Sequence, residues 1–237
     1  MIKFNPNIIY RFIKIFLFLI FFACALYAVI LGLWVRASAS DLIELYPRNP
    51  NVVELPNDYV KMILKVEDPT FYQHIGVDIS IGQGMTTLTS VVAKDIFLFG
   101  AKLKGFKGAM QIFYRGVFTI CQKRDLGLDL MALILNQHLS KNEQLDFFLA
   151  NVYMGSNKRV QIRGLEQASA IYFSKPLAAI SRPEMITLIA MLNKPNYYHP
   201  FKNPKALKRR SYRIARLLAG ECSPSGWFDT DYAGCGL

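Results

Sequence analysis

The chain has 237 residues and a formal net charge of +11 at pH 7, with 28 Lys and Arg against 17 Asp and Glu. This length suits one domain with a sizeable core, and no internal repeat or low-complexity tract is visible. The positive charge favours anionic lipid head groups, phosphates or nucleic acid as partners. The sequence has no zinc-finger, RNP or helix-turn-helix motif, so we expect no nucleic-acid partner.

An apolar stretch near the N-terminus predicts one transmembrane helix. Residues 15–35 are 21 positions without a charge, and at about 1.5 Å rise per residue such a helix spans a hydrocarbon core of roughly 30 Å. Three basic residues precede the stretch and Arg36 alone follows it closely, which predicts a cytoplasmic N-terminus at residues 1–14. A cleaved signal peptide is the alternative, because residues 37–39 resemble a cleavage site, but the apolar run exceeds the usual signal length. We therefore expect an anchor at residues 15–36.

After the anchor, start and stop signals predict a mostly helical chain. A helix that begins near Asn57 is expected to end at Glu67, because Pro69 disfavours helical geometry in the residue before it. Alternating strand patterns are weak, and residues 160–162 are the only short strand candidate. Capping-box sequences that predict two further helix starts lie at residues 140–143 and 181–184.

Residues 96–124 combine aromatic and basic side chains without an acidic residue. This composition is typical of a segment that lies in the membrane interface, with rings in the acyl boundary and cations at the head groups. A buried helix pair with snorkelling lysines is the alternative. The side chains concerned are Phe97, Phe99, Phe106, Phe113, Tyr114 and Phe118, with Lys102, Lys104, Lys107, Arg115, Lys123 and Arg124.

The C-terminal region predicts a basic helix that opens at Asn203 and closes at Gly220. Its cations fit either a solvated face or a face turned to anionic lipid. The C-terminal tail, residues 221–237, contains Cys222 and Cys235, and both a disulfide and two free thiols are compatible with the sequence. No C-x-x-C spacing is present, so we expect no structural zinc. The cations of the helix are Lys205, Lys208, Arg209, Arg210, Arg213 and Arg216.

Five segments of the chain carry more specific patterns. The first reads Glu67-Asp68-x-x-Phe71-x-x-His74-x-Gly76-x-Asp78, and the second, at residues 84–98, reads G-M-T-T-L-T-S-V-V-A-K-D-I-F-L. Three more lie at residues 140–155, 163–176 and 192–204. In this order they resemble the motifs of the family 51 glycosyltransferases, the peptidoglycan transglycosylases found alone or as the N-terminal half of bifunctional penicillin-binding proteins.

The resemblance covers roughly residues 50–218. It implies a mainly α, lysozyme-like helical domain at residues 37–220, behind the single transmembrane helix. Residues 221–237 follow as a tail, and no penicillin-binding domain is expected after Leu237.

The resemblance assigns Glu67 the role of general base, which deprotonates an acceptor sugar hydroxyl while a lipid diphosphate leaves the donor sugar. A carboxylate at a helix end beside an aromatic wall suits this role, because desolvation raises its pKa. Asp68, Phe71 and His74 are expected to support Glu67, with His74 orienting Asp68.

Binding of the diphosphate and sugar is expected from hydroxyls and a cation in the second motif and from Arg124. A solvated surface helix is the alternative for the second motif. No metal ligands can be named, and Mg²⁺ or Mn²⁺ is implied by the resemblance alone. The expected binding residues are Thr86, Thr87, Lys94 and Arg124.

The chain also departs from the family pattern in the half of the site that serves the leaving group. The second family glutamate falls on Leu128 and the preceding lysine on Gly127, while the arginine is kept as Arg124. A one-residue slip would bring in Asp129, which otherwise points about 100° away around the helix. Other family residues are replaced at Met85, Ser90, Val91, Phe148 and Ala150.

We therefore expect a peptidoglycan glycosyltransferase that polymerises lipid II disaccharide units and releases polyprenyl diphosphate. It would lie in the bacterial inner membrane as a single-pass protein, with its catalytic domain on the periplasmic side. A catalytically impaired relative that binds lipid II or acts as a cell-wall-complex scaffold is the alternative. A lysozyme-type hydrolase shares the fold, but the anchor suits a lipid-linked substrate better. Expected partners are lipid II, the growing glycan strand, membrane phospholipid, and cell-wall synthesis or division proteins.

Overall fold

The computed structural model describes residues 6–46, 55–78, 86–121, 126–157, 160–226 and 229–236. The fold is mainly α, as predicted, with one small hairpin. The helices are α1 (Pro6–Leu45), α2 (Asn57–Glu67), α3 (Leu88–Lys94), α4 (Gly105–Cys121), α5 (Leu126–His138), α6 (Lys141–Asn151), α7 (Leu165–Phe173), α8 (Arg182–Leu192) and α9 (Pro204–Ala219). Shorter elements are a π-helical turn at Asp95–Phe99 and 3₁₀ turns at Leu177–Ala179 and Ala233–Cys235.

Helix α1 is the one helix in the described part of the chain that is long and apolar enough to cross a membrane. Its first half exposes apolar side chains, whereas its second half is buried against the domain from Leu31 onward. Leu31, Val35, Ala39 and Leu42 are fully buried, and their spacing of three and four residues places them on one helix face. The predicted apolar N-terminal helix is confirmed, and it runs without a break into the core.

The core forms where α3 packs against α5 and α6, and α8 against α9. Helix α2 contacts both α8 and α9, and Asp68, the residue after α2, accepts the backbone N–H of Leu88 at the start of α3. The predicted capping boxes are confirmed, with Ser140 and Glu143 closing the start of α6 and Ser181 and Glu184 that of α8. These caps satisfy backbone N–H groups that have no partner inside the helix.

The hairpin pairs β1 (Tyr153–Asn157) with β2 (Val160–Arg163) in antiparallel register. The second strand contains the short candidate at residues 160–162, so that prediction is confirmed. The first strand was not predicted, because it is short and carries a register shift between Tyr153 and Ser156.

Helix α4 divides its side chains between the core and the surface. Tyr114 is 2% exposed and packs against Trp34 of α1 with ring centroids 5.1 Å apart. Phe106 is 79% exposed and Ile120 is 85% exposed, and Ile112 and Phe113 are also exposed. Helix α4, which lies within the predicted interface segment at residues 96–124, therefore has one buried and one exposed apolar face. Lys123 and Arg124 of that segment lie outside the described part of the chain.

The C-terminal tail folds back onto α9 and is closed into a loop by a disulfide between Cys222 and Cys235. Arg210 is only 2% exposed, and its Nε donates to the backbone carbonyl of Ala190 at 2.9 Å. Arg216 donates to the carbonyl of Cys235 at 3.1 Å. The predicted solvated or lipid-facing face therefore does not include Arg210, whose N–H groups are bound inside the fold, whereas Lys205, Lys208 and Arg209 are exposed.

Candidate functional site

A cleft of about 480 Å³ lies where the C-terminal end of α2 meets α3, α8, α9 and the tail. Its lining is mixed, with one glutamate, one aspartate and two basic residues among apolar and aromatic walls. The lining residues are Val66, Glu67, Thr86, Val91, Lys94, Asp95, Phe148, Val152, Tyr153, Leu192, Asn193, Pro195, Arg210, Thr230 and Tyr232.

Glu67 is the last residue of α2, as predicted, and its half-buried side chain lines this cleft. Burial raises the pKa of Glu67 to about 7, with Arg210 opposing the rise and Asp68 adding to it. No hydrogen bond to its carboxylate comes from any residue that the structure describes. A carboxylate with this pKa that is open to a cleft can accept a proton near neutral pH.

Asp68 points away from the cleft and is fully buried. Its carboxylate accepts the backbone N–H of Leu88, the first residue of α3, at 2.8 Å and the Nε2–H of His74 at 3.0 Å. The other ring nitrogen of His74 accepts the N–H of Gly76 at 3.0 Å, which fixes the tautomer. This network joins the end of α2 to the start of α3 and so holds the backbone on which Glu67 sits.

Two further residues of the first motif complete this support. Phe71 is buried, and the Nζ of Lys141 lies 4.7 Å from its ring centroid. Gly76 has φ +122°, and a Cβ there would meet the carbonyl oxygen of Ala132 on α5 at 2.7 Å. A side chain at this position would therefore push the first motif away from α5.

Comparison with known proteins shows which family the chain resembles. The transglycosylase family model matches residues 121–219. Penicillin-binding protein 1B of Haemophilus influenzae is 30% identical over 178 residues, which cover 69% of this chain and 20% of that protein. The protein of the same name from Buchnera aphidicola subsp. Acyrthosiphon pisum is 32% identical over 180 residues, covering 70% of this chain and 21% of its own length.

This chain is homologous to the transglycosylase domains of penicillin-binding proteins. The match to penicillin-binding protein 1B of Escherichia coli is similar, at 29% identity over 177 residues. The chain spans about a fifth of the length of these curated relatives. The domain has a mainly α, lysozyme-like helical fold, and residues 121–219 carry its match to the transglycosylase family.

The residues predicted to bind the diphosphate have different positions in the transglycosylase domain. Thr86 and Lys94 line the cleft with Glu67. Thr87 is buried, and its hydroxyl accepts the N–H of Ser90 as the N-cap of α3 and donates to the carbonyl of Gly76. The position of Thr87 therefore indicates a structural role for this residue. Arg124, the fourth predicted binding residue, lies outside the described residues.

The position of the missing family glutamate lies on α5. Leu128 is half-buried there and Gly127 is buried. Among the described residues that line the cleft, none comes from α5, so neither Leu128 nor Asp129 faces Glu67 across it.

Asp95, Arg210 and Tyr232 are among the cleft residues that were not singled out as site residues from the sequence. Asp95 follows Lys94, and burial raises its pKa while Arg163, 3.3 Å away, opposes the rise. Its place beside Lys94 in the second motif could have indicated it. Arg210 was hidden within a run of cations, and Tyr232 lies in the tail, outside every motif.

Proposed function

We propose that this protein is a peptidoglycan glycosyltransferase that joins lipid II disaccharide units into glycan strands and releases polyprenyl diphosphate. The observation that supports the proposal most strongly is the environment of Glu67. Its carboxylate lies at a helix end in a cleft, accepts no hydrogen bond from the described residues, and has a pKa of about 7.

In the proposed reaction, Glu67 takes the proton from a sugar hydroxyl of the acceptor. The hydroxyl oxygen forms a bond to the anomeric carbon of the donor, and the bond from that carbon to the lipid diphosphate breaks. Lys94, in the same cleft, stabilises the negative charge on the departing diphosphate. General-base catalysis of this kind typically contributes about 10²–10⁴ in rate.

The membrane location of the substrate fits the shape of the protein. Helix α1 carries an exposed apolar half, and α4 presents exposed Phe106 and Ile120 beside the part of α1 that enters the domain. The disulfide between Cys222 and Cys235 suits an oxidising compartment, which supports a periplasmic position for the domain. Lipid-linked donor and membrane-bound enzyme would then meet at the outer leaflet.

A divalent cation has no protein-built site in this proposal. The described residues contain no group of three or more His, Cys, Asp and Glu side chains that could hold a metal ion. Mg²⁺ is commonly bound by substrate phosphates together with one or two carboxylates. The assay below therefore includes Mg²⁺ as an ion bound by the diphosphate of the substrate.

A catalytically impaired, lipid II-binding relative is the second candidate. It is favoured by Leu128, which replaces the second family glutamate on a helix that contributes nothing to the described lining of the cleft. Positioned groups that stabilise the transition state are typically worth about 10²–10³ in rate each. Their loss would leave slow turnover or binding alone.

The test compares Glu67→Gln with the wild type, using the full chain in detergent with labelled lipid II and Mg²⁺. We expect Glu67→Gln to lower polymer formation by at least about 10²-fold and to keep substrate binding, measured separately. Glu44→Gln is the matched control, because Glu44 is exposed on α1, and it should polymerise like the wild type. Equal rates for Glu67→Gln and wild type would refute the catalytic role, whereas binding without polymer in both would support the second candidate.

A further inference from the structure

The C-terminal tail forms one wall of the cleft that contains Glu67. Thr230 and Tyr232 line this cleft together with the end of α2. The sequence separation between Tyr232 and Val66 is 166 residues, yet the Tyr232 hydroxyl donates a hydrogen bond to the Val66 carbonyl. The last residues of the chain thus contact the peptide that carries Glu67.

This hydrogen bond meets a need of the helix end. The last four carbonyls of an α-helix have no partner within the helix, and Val66 is the next to last residue of α2. A donor from the tail satisfies this carbonyl and holds the peptide between Val66 and Glu67 in one orientation. Burial, with the charge of Glu67 adding to it, raises the pKa of Tyr232, so its hydroxyl keeps the proton that it donates.

The tail is held in place by several independent contacts. The Nη1 of Arg210 donates to the Thr230 carbonyl at 2.7 Å and to the Asp231 carboxylate at 2.9 Å. The Tyr198 hydroxyl donates to the same carboxylate at 2.8 Å. The disulfide links Cys235 near the far end of the tail to Cys222, three residues after α9 ends at Ala219. Contacts from α9, from Tyr198 in the segment between α8 and α9, and within the tail itself therefore hold the wall in place.

The backbone of Tyr232 shows that this placement has an energetic cost. Tyr232 has φ 51° and ψ 46°, the left-handed region that residues other than glycine rarely occupy. Its ring is 3% exposed and lies 5.7 Å from the guanidinium carbon of Arg210. Strain of this kind persists where the surroundings determine the conformation, and it is often found at functional sites.

We infer that Tyr232 is a positioning residue for Glu67 and that the disulfide-closed tail is a structural wall of the catalytic cleft. The tyrosine acts on the reaction through the peptide before Glu67 and by excluding water from one side of the carboxylate. It does not touch the reacting atoms. The inference rests on the proposed function for its kinetic readout, whereas titration of Glu67 tests it without any turnover.

The kinetic test uses Tyr232→Phe in the full chain. Loss of the hydroxyl should lower kcat by about 3- to 10-fold with KM unchanged, because the ring still fills the wall and only the orientation of the base is loosened. Tyr59→Phe is the matched control, since the Tyr59 hydroxyl also bonds a backbone carbonyl, that of Ile180 at 3.1 Å, from the other end of α2. The control should keep the wild-type kcat. A wild-type kcat in Tyr232→Phe would overturn the inference.

The titration test uses Tyr232→Ala with ¹³C-labelled glutamate carboxyls, the Glu67 signal being assigned by its loss in Glu67→Gln. Opening the wall to water should lower the pKa of Glu67 by about one unit or more from its value near 7. An unchanged pKa in a folded Tyr232→Ala would also overturn the inference. If the wild type makes no polymer, the proposed function fails, and this titration still decides whether the tail positions Glu67.

Discussion

At the scale of single residues, the charge state of Glu67 depends on how its neighbours are already engaged. Asp68 is the nearest acid in sequence, but its carboxylate is taken up by His74 and the N–H of Leu88. Arg210 opposes the rise in the pKa of Glu67, yet its Nη1 is bonded to tail oxygens. Burial is therefore the dominant cause, and Glu67 keeps a proton affinity suited to a general base.

The raised pKa of Glu67 predicts a pH dependence of stability. The folded protein binds this proton more tightly than the unfolded chain, whose glutamates have the ordinary value of 4.5, so the stabilisation is present below about pH 4.5 and is lost as the pH rises through about 7. Glu67→Gln should lack this loss and gain stability relative to the wild type between pH 5 and pH 8. Thermal unfolding across this range measures it, and parallel pH profiles for both proteins would contradict it.

At the scale of elements, α4 shows how one helix serves both the core and the outside. Tyr114 packs between Tyr27 and Trp34 of α1, and the indole N–H of Trp34 donates to the carbonyl of Lys107 at 3.0 Å. The opposite face carries exposed Phe106 and Ile120. An exposed apolar face beside a helix that is long and apolar enough to cross a membrane favours insertion into the interface.

The exposed face of α4 predicts contact with lipid. Tryptophan introduced as Phe106→Trp should be quenched by brominated lipid in nanodiscs, because the ring would lie in the acyl boundary. Phe201→Trp is the matched control, since Phe201 is 62% exposed but lies outside α1 and α4, beside Tyr172 and His199. Both variants are compared with the wild type, which already contains two tryptophans. Equal quenching at the two positions would argue against an interfacial α4.

At the scale of the whole molecule, the C-terminal tail packs against helices that lie far from it in sequence. The hydroxyl of Tyr232 reaches Val66 of α2, and Arg216 of α9 donates to the carbonyls of Cys235 and Gly236. The tail thus contacts both α2 and α9, between which the cleft opens. The disulfide limits how far the tail can move away from these helices.

Removal of the disulfide should destabilise the protein by about 2–4 kcal/mol, because the unfolded chain regains the entropy of the open loop. The variant Cys222→Ser with Cys235→Ser should show this loss in denaturant unfolding, and reduced wild type should behave alike. Cys24→Ser controls for the loss of a cysteine, since Cys24 is exposed and unpaired within the described chain. Unchanged stability of the double variant would show that the tail is held by its hydrogen bonds alone.

The predictions that held concern features with a local cause. The end of α2 at Glu67, both capping boxes and the apolar N-terminal helix each depend on residues a few positions apart. Adjacent residues show where such reasoning stops: Thr86 lines the cleft, whereas Thr87 caps α3. The same residue type in the same motif has two roles, because the turn into α3 directs one side chain inward.

By itself, the sequence determined the helical class, the apolar N-terminal helix and the order of the family motifs, and it indicated Glu67 as the candidate base. The tertiary structure alone decided that Cys222 and Cys235 are joined, that Arg210 is buried and that Tyr232 reaches the cleft. Helix propensity, capping and apolar periodicity act over a few residues, so they can be read along the chain. The desolvation of the Glu67 carboxylate depends on which segments pack around it. The hydrogen-bond partner of Tyr232 depends on the same packing, which forms only when the whole chain folds.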